Sequence, residues 1–217
     1  MPVLFCDLDD TLIERTAAFR SWITDFAQRH ELERAWVDRI MLEDQRGFRS
    51  REELFDVAAE ITPTSVSIDD LIAEFHDLYP FYFPPIADEI RAELIKVRAS
   101  GWRVVVLTNG APAQERKIRA TGTDAFVDGW CISDVLGVRK PDPAIFLAGA
   151  ALCGETLDGA WMIGDSPEAD IGGAKAASIQ SAWIRLGRRW PLDDFEPDMT
   201  VDSVAEAIGL IREQSPA

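Results

Sequence analysis

The segment VLFCDLDDTLI, residues 3–13, decides the fold. Val3, Leu4, Phe5 and Cys6 make an apolar, strand-like run that ends abruptly in three acids, Asp7, Asp9 and Asp10. Carboxylates packed this closely repel one another and raise each other's pKa. The cluster therefore requires a cation, a protonated member or open solvent.

Downstream of residue 86, short apolar runs alternate with amphipathic helical stretches. WRVVVLTNG (102–110) reads as a buried, β-branched strand ending in a turn, and APAQERKIRATG as the helix after it. FVDGWCISD is a further strand, and DPAIFLAGAALCG a helix closed by Gly154. GAWMIGDS and QSAWIRL are strand-like, PEADIGGAKAAS is helical, and VDSVAEAIGLIRE is a terminal helix. Strands separated by single helices imply an α/β fold with a doubly wound parallel sheet, to which VLFCD adds a strand from the other end of the chain.

Between Ile13 and Pro84 the β-rich runs disappear. Phe19, Trp22, Ile23 and Phe26 lie on one helical stripe, and Ile68, Leu71, Ile72, Phe75 and Leu78 on another. SREE (50–53) has the capping-box form, with Ser50 at N-cap and Glu53 at N3, and opens a helix that Thr62-Pro63 closes. The expected organisation is an α/β core of residues 1–14 and 84–217 with a small α-helical domain, residues 15–83, inserted after the first strand.

With 22 basic and 38 acidic residues the net charge is −16, which repels nucleic-acid backbone and anionic lipid and argues against both as partners. An anionic small molecule would need a locally positive site. No segment approaches the roughly 18 apolar residues of a membrane span, and no basic stretch leads into a long apolar run; a cytoplasmic protein is expected. Cys6, Cys131 and Cys153 lack metal-ligand spacing, and Cys6 and Cys131 sit in strand-like runs that suit buried packing. His30 and His76 lie on helical patterns far from the acids. The tryptophans are scattered and define no interface, so the oligomeric state stays open.

In an open parallel sheet, ligands bind beyond the carboxyl ends of the strands. Those ends carry Asp7-Leu8-Asp9, then Thr108-Asn109-Gly110, then Gly164-Asp165-Ser166 with Asp170 five residues after Asp165, while Lys140 lies in the loop before a later helix. Singly these are ordinary turn residues. Together they form a coherent site.

The chain resembles the haloacid dehalogenase superfamily, in the group with a helical cap inserted after the first motif. DLDDTL (7–12), LTNG (107–110), RKPDPAIF (139–146) and GDSPEADIGGA (164–174) are similar to its four motifs, in order. The resemblance implies a Rossmann-like core and a Mg²⁺ held by Asp7, Asp165 and the main-chain oxygen of Asp9. It makes Asp7 the nucleophile that forms an aspartyl-phosphate, and Asp9 the acid for the leaving alkoxide and then the base for water. Thr108 and the amides near Asn109 and Gly110 would bind phosphate oxygens, and Lys140 would offset charge. Asp170 would either ligate the metal or hold Lys140 or a metal-bound water. Asp10, off the Asp7–Asp9 alternation, is expected to bond within its loop.

Within the superfamily, Asp9 argues for phosphoryl transfer, because a halide leaves without a proton. Phosphonate cleavage through a cap lysine is disfavoured, since the lysines are Lys96, Lys117, Lys140 and Lys175. The expected activity is Mg²⁺-dependent hydrolysis of a small phosphorylated metabolite. A phosphomutase, or a non-catalytic binder of phosphorylated ligands, is the alternative. The cap would set specificity. Arg20, Arg46, Phe48 and Arg49 are candidate contacts, though the arginines read more readily as solvated charges at helix ends.

Overall fold

The computed structural model describes residues 1–47, 49–63 and 66–214; Phe48 lies outside the described residues. Strands β1 (Val3–Cys6), β2 (Arg103–Thr108), β3 (Gly129–Ile132), β4 (Trp161–Gly164), β5 (Gln180–Ile184) and β6 (Met199–Val201) form one sheet in the order β3-β2-β1-β4-β5-β6. Every pairing is parallel. The helices among the described residues are α1 (Arg15–Arg29), α2 (Arg34–Asp44), α3 (Arg51–Ile61), α4 (Ile68–Asp77), α5 (Asp88–Ala99), α6 (Gln114–Ala120), α7 (Ser133–Leu136), α8 (Pro143–Leu152), α9 (Gly172–Ala176) and α10 (Val204–Glu213). The chain divides into two compact units, Met1–Ile13 with Pro85–Ala217, and Glu14–Pro84.

In the first unit, the buried strands are apolar on both parities because helices cover both faces. Val3, Phe5, Val105 and Leu107 share a core cluster with Ile145 and Phe146 of α8. Leu4, Cys6, Val104 and Val106 are equally buried and point the other way. There α5 packs on β2 and on α10, which in turn covers β4. The chain runs from β1 outward through β2 to β3 and then returns to β4 beside β1. This reversal opens a crevice at the carboxyl ends of β1 and β4, where a doubly wound sheet binds ligands. Asp7 and Asp165 immediately follow those two strands.

The sequence pattern marks neither α2 nor β6. Three-residue β6 is an edge strand in which only Val201 is buried, too short for an apolar run to announce it. PEADIGGAKAAS is not one helix: a π-type turn over Pro167–Ile171 precedes α9. Leu78 of the expected apolar stripe is exposed, because α4 ends at Asp77.

The second unit is helical. The capping box at α3 is formed, Ser50 and Glu53 each accepting from the other's backbone N–H. Its most polar buried feature is Asp44, with no exposed surface. Asp44 is chelated by both Arg15 Nη atoms, by Arg51 Nη1 at 2.8 Å and by the Gly47 amide at 3.0 Å. These bonds pin a turn in which Gln45, Arg46 and Gly47 all have positive φ. Burial alone would push the Asp44 carboxyl up, but Arg15 and Arg51 outweigh it and hold the carboxyl below its usual range. This stabilisation is present above the unfolded-state pKa of about 3.9 and is lost as pH falls through the lower folded value. Asp44→Ala removes the buried carboxylate that Arg15 and Arg51 share. It should destabilise the protein by about 3–5 kcal/mol in a denaturant melt, and a change under about 1 kcal/mol would show the triad to be incidental.

Candidate functional site

Three carboxylates converge beyond β1 and β4. One oxygen each from Asp7, Asp165 and Asp170 lies within 4.8 Å of the other two. The first two are delivered by strand ends, while Asp170 arrives through a local fold. Ser166 caps the π-type turn by accepting from the Ala169 amide at 3.2 Å, and Asp170 Oδ2 accepts from the Ser166 amide at 2.9 Å. Close approach requires glycine at 164, since a Cβ there would lie 2.1 Å from Asp170 Oδ2.

Lys140 enters this cluster from the loop before α8. Its ammonium has three hydrogens and three acceptors: Asp7 Oδ1 at 2.6 Å, Asp170 Oδ1 at 2.7 Å and the Leu107 carbonyl at 2.6 Å. Asn109 holds that loop by a reciprocal pair, its Nδ2 donating to the Lys140 carbonyl and its Oδ1 accepting from the Lys140 amide, both at 2.9 Å. Burial would pull the Lys140 pKa down, but Asp170 and Asp7 outweigh it, so the ammonium holds its proton more tightly than a free lysine. The Asp7 carboxyl is pushed well up by burial, with Lys140 opposing and Asp170 and Asp165 adding to the rise. One lysine does not balance three buried acids. Of the three acids, Arg188 contacts Asp165, donating to its Oδ2 at 3.0 Å and to its carbonyl at 2.7 Å.

An all-oxygen donor set with excess negative charge fits a hard divalent cation such as Mg²⁺. Both Asp170 oxygens already accept hydrogen bonds from Lys140 and the Ser166 amide. Asp170 thus bridges Lys140 and the π-type turn.

Beside this cluster, two side chains not singled out in the sequence hold Asp9, and one of them also holds Thr108. Gln114 Nε2 donates to Asp9 Oδ2 at 2.9 Å and to Thr108 Oγ1 at 2.7 Å. Lys117 Nζ contacts Asp9 Oδ1 at 2.9 Å and Oδ2 at 2.8 Å. Both come from α6, three residues apart and so on one helical face. The available signal was that pair of polar residues in the helix leaving the Thr108 strand end. Gly110 was expected to offer its amide to phosphate, but that N–H donates to Ser133 Oγ at 2.9 Å and ties the strand end to α7. Asp10 sits in the loop with φ +54. In the helical unit Arg49 pairs with Glu43 at 2.8 Å, Arg20 lies 3.7 Å from Asp38, and Arg46 occupies the left-handed turn. No helix among the described residues is long and apolar enough to cross a membrane.

Residues 1–178 match the sequence pattern of haloacid dehalogenase-like hydrolases. The phosphoserine phosphatase of Thermus thermophilus is 32% identical over 123 residues, covering 56% of this chain but about half, 49%, of that protein. The glyceraldehyde 3-phosphate phosphatase of Pyrococcus abyssi is 27% identical over 203 residues, covering 86% of this chain and 82% of its own. Among solved structures, the magnesium-bound HAD-hydrolase YfnB from Bacillus subtilis superimposes with a TM-score of 0.81 at 17% identity, covering 97% of this chain and 98% of that one. At that identity the likeness establishes the fold alone.

Proposed function

We propose that this chain, which belongs to the haloacid dehalogenase-like hydrolase family, is a Mg²⁺-dependent phosphatase acting on a small phosphorylated metabolite. The observation that carries this reading is the pairing of two differently held acids two residues apart. Asp7 is buried, with one carboxylate oxygen on Lys140, and Asp9 is partly exposed on a separate set of donors. Two acids in such different environments suit two different tasks. The phosphatases named among its relatives act on small phosphorylated compounds, which supports the substrate class.

In this reading Oδ2 of Asp7, the oxygen that Lys140 does not hold, attacks phosphorus while the ester P–O bond breaks. Asp9 gives a proton to the departing alkoxide, then takes one from the water that cleaves the aspartyl-phosphate, regenerating Asp7 and releasing orthophosphate. Thr108 Oγ1 accepts from Gln114, so its own hydroxyl hydrogen is available to a phosphate oxygen. Lys140 stabilises negative charge at Asp7 throughout, and Asp170 keeps Lys140 in place. Mg²⁺ bound at Asp7 and Asp165, with the Asp9 carbonyl, would neutralise the phosphoryl oxygens and orient the substrate.

The test is hydrolysis of p-nitrophenyl phosphate and a panel of alkyl phosphates by purified protein. Release should require Mg²⁺, stop in EDTA and return when Mg²⁺ is added in excess. Folded, Mg²⁺-loaded protein that hydrolyses none of these esters would sink the phosphatase reading.

A further inference from the structure

Asp9 poses a problem of placement. It lies in the loop after β1 with 28% of its side chain exposed, yet it must serve both a leaving oxygen and an incoming water. A carboxylate free to rotate there would spend little time in a productive pose, and displacement by about 1 Å can cost on the order of 10² in rate. The donors on α6 remove that freedom. Lys117, itself buried, contacts both Asp9 oxygens, while Gln114, also buried, donates to one of them. Gln114 presents its NH₂ group, not its carbonyl, to Asp9, with Nε2 2.9 Å from Asp9 Oδ2. The second hydrogen of that NH₂ goes to Thr108 Oγ1 and turns the threonine hydroxyl hydrogen away from Gln114.

We infer that Lys117 and Gln114 are positioning residues for the two-step reaction, a clamp on one face of α6 that sets the Asp9 carboxylate and, through Gln114, the Thr108 hydroxyl. This deepens the phosphatase reading and rests on it. Lys117 contacts Asp9, and its effect falls on the step that cannot proceed without Asp9. With p-nitrophenyl phosphate the leaving group departs without a proton, so formation of the aspartyl-phosphate is spared. Its hydrolysis still needs Asp9 to deprotonate water.

Stopped-flow measurement of nitrophenolate release with Mg²⁺ present separates the two steps. Lys117→Met should show a burst approaching one nitrophenolate per enzyme, followed by steady turnover slowed about 10²-fold. Acid-quenched protein should carry phosphate on Asp7. Lys117→Arg, which keeps the cation, should recover most of the steady rate. Gln114→Leu should slow both phases, because it releases Thr108 as well. If Lys117→Met does not fold, Lys117→Gln takes its place with the same expected burst. Equal slowing of burst and steady phase in the Lys117 variant, or kinetics like wild type, overturns the clamp while active wild type and inactive Asp7→Asn leave the phosphatase reading standing. Wild-type protein inert toward every monoester overturns both.

Discussion

Asp7→Asn is expected to lower phosphate release by at least about 10³-fold, as removal of a covalent nucleophile does, while leaving the protein folded. The substitution preserves shape and still offers an oxygen to Lys140, which touches only Oδ1. What it removes is the negative charge and the second carboxylate oxygen, the atom proposed to attack phosphorus. No phosphoenzyme should be recovered after acid quench. Steady-state phosphate release and intact mass of quenched protein would check this, and turnover retained at the wild-type level would refute Asp7 as nucleophile.

The same substitution has an opposite effect on stability in the absence of metal. Burial together with Asp170 and Asp165 raises the folded-state pKa of Asp7 above the unfolded value, against the opposing Lys140. A carboxyl shifted in that direction contributes most at low pH, below the unfolded value of about 3.9. It contributes progressively less as pH rises through the folded value, because the ionised form meets repulsion from Asp170 and Asp165. Asp7→Asn relieves that repulsion. In EDTA at pH 7 its melting temperature should equal or exceed that of wild type, the pattern of a site in which function is bought with stability.

How much of this was legible in the sequence depends on whether a feature is carried by an uninterrupted stretch. Buried strands announce themselves, because β1 and the middle of β2, Val104 to Leu107, are covered on both faces and so are apolar without alternation. Asp7, Asp9, Thr108 and Asp165 could be read because strand ends in a doubly wound sheet converge, so positions distant in sequence inherit a common location, whereas Lys140 and Asp170 lie off the strand ends and were marked by the resemblance of RKPDPAIF and GDSPEADIGGA to family motifs. Edge strand β6 escaped because an edge needs only one buried residue. Gln114 and Lys117 escaped because a helix facing solvent on its other sides also carries Gln and Lys. Only the fold shows that their shared face meets Asp9, more than a hundred residues earlier. Whether the Gly110 amide is open to a ligand likewise depends on a partner elsewhere in the chain, Ser133 at the start of α7.

Gly164→Ala tests how tightly the cluster is built, and it should cost both activity and stability. Nothing in the sequence GDS distinguishes Gly164 from an ordinary turn glycine, and its requirement here is one of space. A methyl group at 164 would lie 2.1 Å from Asp170 Oδ2, 2.3 Å from its Cγ and 2.6 Å from its Cβ, far inside contact distance. Asp170 cannot yield at small cost, since it is fully buried and both its oxygens are engaged, one by Lys140 and the other by the Ser166 amide. Moving it strips Lys140 of one of its acceptors and loosens the ammonium from Asp7. It also leaves the Ser166 amide unpaired at the start of the turn. Overpacking alone costs typically about 1–3 kcal/mol, and an orphaned buried donor adds about 1–3 kcal/mol. The expected result is a loss of roughly 2–6 kcal/mol in a denaturant melt, on those two principles, with kcat reduced by about 10² or more through misplacement of Lys140. Ala174→Gly, on the same segment but in α9, opens space in the core cluster rather than crowding Asp170 and should leave kcat within a few-fold of wild type. A Gly164→Ala protein with full activity would mean that Asp170 can move without disturbing Lys140, and the role assigned to it of keeping Lys140 in place would fall.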